Sequence, residues 1–214
     1  MKIKQAHCVR AFTLIELLMV IAIIGILAGL VLAGVKYASG AKKKVLVGGT
    51  RESLMSAIDS YHASYGSYPP DNPMIATATN QDQAGVIAST NQLFYELFGA
   101  TYDPNTATYA AHDGSTISAA VISSTFGGIG GIRNSLAGEV KSFWNPPPQT
   151  NYYLPYPNGA QAFVVLVPFD PNSSSPNRWH YDASSTYRHN KQSYDLWAVY
   201  NDGGTLITNG NWKQ

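Results

Sequence analysis

An apolar segment begins with Phe12-Thr13-Leu14-Ile15-Glu16-Leu17-Leu18-Met19-Val20 and continues to Val35. A helix rises about 1.5 Å per residue, so residues 12–35 would extend about 36 Å, which exceeds the roughly 30 Å hydrocarbon core of a membrane. The segment is longer than the apolar region of a cleaved secretory signal, and no A-x-A-like cleavage site follows it. We therefore predict a transmembrane helix over residues 12–35 that stays in the protein.

Glu16 is the only charged residue of this segment. A carboxylate near the centre of a membrane helix costs about 2.5–3.5 kcal/mol, so such residues usually have a partner and a function. Its place near the helix start brings Glu16 closer to the interface, where the helix dipole favours a negative charge. Two interpretations follow: an acid with a specific partner, or an acid that the interface tolerates in a simple signal anchor.

The residues Ala11-Phe12-Thr13-Leu14-Ile15-Glu16 follow a short basic leader, and together they resemble the processing site of type IV pilins and type II secretion pseudopilins. The resemblance implies that a prepilin peptidase cuts between Ala11 and Phe12 and methylates the new amino terminus of Phe12. It also implies that Glu16 pairs with that amino group on a neighbouring subunit and so sets the register of a helical filament. The family usually has Gly before the cut, where this chain has Ala11.

The orientation in the membrane is also implied by the resemblance. Cations flank the apolar segment on both sides, so the positive-inside rule alone does not fix the orientation. The family places the leader in the cytoplasm, the helix in the bacterial inner membrane and the head in the periplasm, within a periplasmic or cell-surface filament. The implied partners are further copies of the chain, other pilin-like subunits, the prepilin peptidase, an inner-membrane assembly platform and membrane lipid.

Composition fits an exported, loop-rich head. The chain has 214 residues with a net charge of +1, which becomes −2 when Lys2, Lys4 and Arg10 leave with the leader. The head is mildly acidic, which argues against a nucleic-acid-binding surface on it. Cys8 is the only cysteine and lies in the leader, so the mature chain forms no disulfide. Many type IV pilins close a loop with a disulfide, and its absence favours a pseudopilin.

The sequence divides into a leader over residues 1–11, the transmembrane helix over 12–35, an amphipathic stem helix over 36–65 and a periplasmic head over 66–214. Gly25 and Gly29 form a small-xxx-small pair that allows close helix packing in lipid, although glycine is common in membrane helices in general. Gly48-Gly49 would favour a local kink or melting of the stem. The stem's apolar face is formed by Val47, Leu54, Ile58, Tyr61 and Tyr65.

The stem ends at Tyr65-Gly66, and the turn to Pro69 also resembles the pseudopilin pattern. In the head, Thr90-Asn91 predicts a cap on a short helix over residues 92–98, whereas residues 100–151 give few signals. Strands are predicted at 162–167, 178–181, 194–200 and 205–208. The fold class is therefore α+β and pilin-like, with a long amino-terminal helix packed on a small antiparallel sheet. Ser193–Trp197, with Asp202-Gly203 and Asn211-Trp212, resembles the same region of major pseudopilins.

No enzyme motif is present in the sequence, so we expect no catalytic residues. Major pseudopilins bind calcium in the carboxyl-terminal loop, and by this resemblance Asp195, Asn201 and Asp202 are candidate calcium ligands. A hairpin turn at Asn201–Gly204 explains the last two residues without an ion. Zinc at His180 and His189 would lack the usual ligand set. A group of aromatic residues offers a surface for sugar or protein recognition or simply packs loops: Tyr152, Tyr153, Tyr156, Trp179, Tyr181 and Tyr187.

We therefore expect a structural subunit of a pilus-like filament, specifically a pseudopilin of a type II protein secretion system. One alternative is a type IV pilus subunit with a role in adhesion, motility or DNA uptake. An alternative of another class is a membrane-tethered periplasmic binding or enzymatic domain. That alternative predicts a cluster of polar catalytic residues, and it gives no role to Glu16.

Overall fold

The computed structural model describes residues 13–128, 131–136, 138–145, 153–155, 161–167 and 177–213. For residues 31–39, 153–155 and 161 it describes the backbone alone. The chain divides into two compact units, residues 1–42 and 43–214. The longest element is helix α1, Leu14–Tyr65, which contributes to both units. Together with the three small antiparallel sheets that the described residues form, this helix confirms the α+β class of the sequence analysis.

In the first unit, helix α1 exposes its apolar side chains. The predicted span 12–35 includes residue 12 and the side chains of residues 31–35, which lie outside the described part of the structure. Among the residues that the structure describes, no helix meets the length and hydropathy that a membrane crossing requires. The exposed large apolar side chains of this unit are Leu14, Ile15, Leu17, Leu18, Met19, Val20, Ile21, Ile23, Ile24, Ile26, Leu27 and Leu30.

In the second unit, helix α1 is the stem of the head and buries one face. Its fully or almost fully buried residues follow helical spacing, at Val47, Leu54, Ala57, Ile58 and Tyr61. The helix continues without a break through residues 48 and 49, so the expected local melting is wrong. Buried apolar residues on both sides of the two glycines hold the helix against a cost of about 1 kcal/mol per glycine.

Gly66 ends the stem helix. Its φ of +70° is a left-handed conformation that glycine adopts freely, and its N–H donates to the carbonyl oxygen of His62 at 2.8 Å. Three short helical segments follow, a 3-10 helix at Pro73–Thr77, α2 at Gln81–Ala88 and α3 at Leu93–Phe98. The predicted helix over residues 92–98 is therefore present, and Asn91 Oδ1 accepts from Leu93 N at 3.2 Å near its start.

A three-stranded antiparallel meander occupies the region that the sequence left unassigned. Strands β1 (Ala100–Asp103), β2 (Thr108–Ala111) and β3 (Thr116–Ser118) pair in chain order. Helices α4 (Ala119–Thr125) and α5 (Arg133–Leu136) follow. Strands this short, with small and polar residues, carry little periodic signal.

The carboxyl-terminal strands form the remaining sheets. Strands β4 (Tyr153–Pro155) and β5 (Gln161–Phe163) form a hairpin. Strands β6 (His180–Asp182), β7 (Asp195–Asp202) and β8 (Thr205–Gly210) form an antiparallel sheet in chain order. A backbone bridge joins Leu166 to Arg178, so the two predicted strands 162–167 and 178–181 are neighbours. One core unites stem residues such as Ile58 with the sheet residues.

A buried carboxylate connects the stem to the head. Glu96 on α3 is fully buried and accepts hydrogen bonds from Tyr61 Oη at 2.9 Å, Arg133 N at 2.7 Å and Asn134 N at 3.0 Å. Burial raises the pKa of Glu96 above its ordinary value, against the opposing effect of these donors. The stem, α3 and α5 are therefore joined at one polar centre inside the apolar core.

Candidate functional site

The candidate site is the start of helix α1, where Glu16 forms a reciprocal capping box with Thr13. Thr13 donates to Glu16 Oε2 through its backbone N at 2.9 Å and through Oγ1 at 2.7 Å. In return, Glu16 N donates to Thr13 Oγ1 at 3.3 Å. A Thr followed three residues later by Glu is the sequence signature of this cap. The cap holds the carboxylate at the first turn, where free backbone N–H groups and the helix dipole favour negative charge.

The carboxylate at this position is exposed, and only one of its oxygens is engaged by its own chain. Both hydrogen bonds from Thr13 reach Oε2, and Oε1 accepts none from the residues that the structure describes. Ala11 and Phe12, the predicted cleavage and methylation positions, lie outside the described residues. The geometry therefore presents a carboxylate oxygen at the start of an exposed apolar helix.

Gly25 and Gly29 lie in the middle of the exposed apolar segment. A methyl group added at either position would meet no atom within 4 Å, so each leaves open space on the helix surface. The two residues are four apart in the helix and therefore share a face. They form a shallow notch that could receive another helix, and the described part of this chain places no side chain there.

The structure does not bring the three candidate calcium ligands together. Asp195 begins strand β7 and Asp202 ends it, and seven steps of about 3.3 Å place them about 23 Å apart. Asp195 is buried and accepts from His189 N, His189 Nδ1 and Asn190 N at 2.6 to 2.9 Å. A single site from all three residues is therefore not formed, because an extended strand separates them.

Asn201 and Asp202 instead form the tight turn that connects β7 to β8. Asp202 pairs with Thr205, and Gly204 N donates to Asn201 Oδ1 at 2.8 Å. Gly203 and Gly204 have φ values of +60° and +97°, as a two-residue hairpin loop with left-handed residues requires. The alternative interpretation of these residues, a hairpin turn, therefore accounts for the observed geometry.

Three of the six aromatic residues, Trp179, Tyr181 and Tyr187, have described side chains, and these divide between the core and a cleft. Tyr152 and Tyr156 lie outside the described residues, and for Tyr153 the structure describes the backbone alone. Trp179 and Tyr181 are fully buried, so they pack the head rather than form a recognition surface. Tyr187 lines a cleft of about 720 Å³ between α2 and the β6–β8 sheet, together with His180 and His189. Burial lowers the pKa of His180 to about 4, so its ring is neutral at pH 7. No group of three or more metal-ligating side chains occurs among the residues that the structure describes.

The sequence analysis missed one cluster that only the fold assembles. Arg51 on the stem donates through Nη1 to Asn209 Oδ1 and to the Gly210 carbonyl oxygen, both at 2.8 Å, and Lys213 lies on the same side of strand β8. These residues are about 160 positions apart in sequence. No local pattern connects them, so only the tertiary structure reveals the cluster.

Comparison with known proteins supports the interpretation of the helix start. Residues 7–32 match the prokaryotic N-terminal methylation motif, and this segment includes the predicted cleavage position, Glu16, Gly25 and Gly29. No curated protein and no solved structure gives a significant match to the chain. The motif is typical of a structural rather than an enzymatic class of protein. The match covers 26 of the 214 residues, and it shows that the amino-terminal segment is similar to the methylation motif of prepilin-type, type IV pilin-like proteins.

Proposed function

We propose that the chain is a pseudopilin of a type II protein secretion system, a structural subunit of a helical filament that begins in the bacterial inner membrane. The observation that carries the proposal is the exposed carboxylate of Glu16 at the start of an exposed apolar helix, within the methylation-motif match. An exposed apolar surface of this extent needs lipid or other subunits around it. Filament subunits have both environments, lipid before assembly and neighbouring helices after it.

Cleavage between Ala11 and Phe12 creates the assembly contact in this proposal. The new α-amino group of Phe12 is a cation next to a helix amino terminus, where the helix dipole disfavours positive charge. A carboxylate relieves that cost, and Glu16 Oε1 accepts no bond from the described part of its own chain. Pairing Glu16 with the amino group of a neighbouring subunit removes two desolvation costs at once. The contact repeats from subunit to subunit without closing, as a filament requires.

Two features favour a secretion pseudopilin over a type IV pilus subunit. The sequence has no cysteine after Cys8, so the head has no disulfide-closed loop. The turn after Tyr65 and the segment Ser193–Trp197 resemble major pseudopilins. The type IV pilus subunit stays the alternative, because the matched motif is common to both classes.

The proposal assigns membrane positions and partners to the chain. The helix over residues 12–35 crosses the inner membrane with the leader in the cytoplasm and the head in the periplasm. Cleavage and methylation by the prepilin peptidase come first, and an assembly platform then extracts the subunit into a filament with other pilin-like subunits. Gly25 and Gly29 lie on one helix face and provide a notch for a neighbouring helix in that filament.

Two measurements test this proposal. Intact-mass analysis of the chain from native membranes should find a species that begins at Phe12 and carries one added methyl group. A Glu16→Ala variant should stay in the membrane but lose cross-linked oligomers, whereas Glu139→Ala, which removes an exposed carboxylate from the head, should keep them. A chain that retains residues 1–11, or oligomers that persist in Glu16→Ala, would favour a membrane-tethered domain instead.

Calcium binding at the head is a separate proposal, and the residues available for it are Asn201 and Asp202 at the β7–β8 turn. Asp195 is held by three hydrogen bonds and lies too far from this turn to act with them. A calcium site at the turn predicts a rise in melting temperature on adding calcium that Asp202→Asn abolishes. Equal melting temperatures with calcium and with a chelator would contradict calcium binding, and the hairpin turn alone would then explain why Asn201 and Asp202 are present.

A further inference from the structure

Two adjoining shallow grooves beside strand β8 carry positive charge. The groove of about 310 Å³ is lined by Lys44, Arg51 and Trp212, and the groove of about 230 Å³ is lined by Arg51, Trp212 and Lys213. We call Lys44, Arg51, Lys213 and Trp212 the basic surface. Among the residues described as lining it, the acidic one is Glu52, which is already paired with Arg51 at 2.7 Å.

The three cations of the basic surface have different roles. Arg51 is held by Glu52, Asn209 and Gly210, so its guanidinium joins the stem to the end of β8. Lys44 and Lys213 are exposed, and neither ammonium group donates a hydrogen bond within the described part of the chain. Two cations are therefore available to an external partner beside a third that is fixed.

The charge of this surface opposes the trend of the rest of the head. From residue 66 onward the sequence has six Lys or Arg residues and ten Asp or Glu residues. Lysines that follow a translocated helix also oppose the positive-inside preference. A cationic surface that departs from both trends indicates an anionic partner. The acidic remainder of the head would be repelled by that partner.

The composition of the surface identifies the partner as a membrane. Trp212 is half-buried, and tryptophan beside Lys or Arg is the combination that anchors proteins at a membrane–water interface. Lys44 lies nine residues beyond Val35, where the proposed membrane segment ends. Its long side chain can extend along the helix toward the headgroups. Lipid phosphates are the anions present at that level.

We propose that the basic surface binds the headgroups of anionic lipids in the membrane that holds the chain. This inference rests on the proposed membrane insertion of residues 12–35. Each lysine near an anionic membrane surface strengthens binding about five-fold, and the effect falls as salt is added. Binding holds the head of an unassembled subunit against the bilayer, and extraction into a filament releases it.

The test uses the full chain with Cys8→Ser and a single reporter cysteine, Leu206→Cys, at an exposed position on β8. The labelled protein is reconstituted in vesicles of phosphatidylcholine alone or with phosphatidylglycerol, with a nitroxide quencher on the lipid headgroups. The expected result is quenching of the reporter in the phosphatidylglycerol vesicles and its loss at high salt. Equal quenching in neutral vesicles would overturn the inference.

Matched variants assign the effect to the two lysines. Lys44→Gln with Lys213→Gln should lower the ratio of docked to undocked heads about 25-fold. The control variant Lys141→Gln with Lys191→Gln removes the same charge elsewhere on the head and should still dock. An equal loss of docking in the control would show that only the net charge of the head matters, and it would overturn the inference. A chain that alkaline carbonate strips from the vesicles would overturn membrane insertion as well. A chain that stays inserted without quenching would overturn the lipid contact alone.

Discussion

The two ends of helix α1 are built from similar apolar residues but place them in opposite environments. In the first unit, Ile24 is 58% exposed and apolar residues surround the helix. On the stem, Ile58 is fully buried and charged or small residues occupy the other faces. The two parts differ in periodicity. The first part is a continuous apolar run without a polar face, whereas the stem has apolar residues at helical spacing on one face. One continuous helix can therefore have an apolar surface all round in one part and a single buried apolar face in the other, and the spacing of apolar residues determines which part has which.

The largest expected effect comes from removing the same side-chain atoms from both ends of the helix. Ile58→Ala should lower the free energy of unfolding of the head by about 2–5 kcal/mol, because it leaves a cavity in the core. Ile24→Ala should change it by less than about 0.5 kcal/mol, because the side chain is exposed. Urea unfolding followed by tryptophan fluorescence measures both. Similar losses for the two variants would show that the head also packs on the first part of the helix.

The two glutamates near the helix give the next effect. Glu96→Gln should destabilise the head by about 1–3 kcal/mol at pH 5, because the amide presents a donor to backbone N–H donors. Glu16→Gln should leave head unfolding unchanged, because its partner Thr13 lies in the first unit. Urea unfolding of both variants at a fixed pH is the measurement.

The pH dependence of the same pair sharpens the comparison. Burial raises the folded-state pKa of Glu96, so the folded protein holds this proton at a pH where the unfolded chain has lost it. The stability of the wild type relative to Glu96→Gln should therefore fall as pH rises from the ordinary pKa, 4.5, through the raised value. A difference that grows with pH would mean that the hydrogen bonds outweigh burial.

Much of this contrast was predictable from the sequence, because long periodic segments carry strong signals. The stem face of Leu54, Ile58 and Tyr61, the helix end at Gly66 and the β7–β8 hairpin all follow from local spacing and turn residues. The Thr13–Glu16 cap was also predictable from its pattern, although the sequence analysis considered Glu16 only as a partner of other subunits or as an acid that the interface tolerates. Short elements with weak periodicity, such as α2 and the β1–β3 meander, were not predictable.

The differences between the sequence-based expectations and the structure have physical causes of their own. Tertiary packing outweighed the low helix propensity of Gly48-Gly49, since Val47 and Leu54 are buried on either side. Asp195 and Asp202 are close in sequence, but an extended strand carries seven residues much farther than a loop would. The basic surface required contacts between the stem and residues near position 210, which no local signal encodes.

The smallest effect concerns the glycines of the two ends. Gly48→Ala has open space around the added methyl group and should raise the free energy of unfolding of the head by about 1 kcal/mol, through helix propensity alone. Gly29→Ala has the same open space but should leave head unfolding unchanged and reduce cross-linked oligomers, because it fills the notch proposed for a neighbouring helix. Thermal unfolding and cross-linking of the two variants separate these roles. Unchanged oligomers in Gly29→Ala would remove helix packing at this notch from the proposal.

The bonds from Arg51 to Asn209 and Gly210 attach the end of strand β8 to the stem. The chain leaves the stem after Tyr65 and returns to the same helix at Arg51, while Lys43 Nζ reaches the Asn201 carbonyl oxygen at 3.0 Å. The head therefore begins and ends at the same short section of the stem helix. Residues could be inserted in the exposed turn between β1 and β2, residues 103–107, without moving either attachment. A chimera that exchanges the exposed residues 103–107 for an unrelated loop should therefore keep the helix and its attachments while presenting a new outer surface.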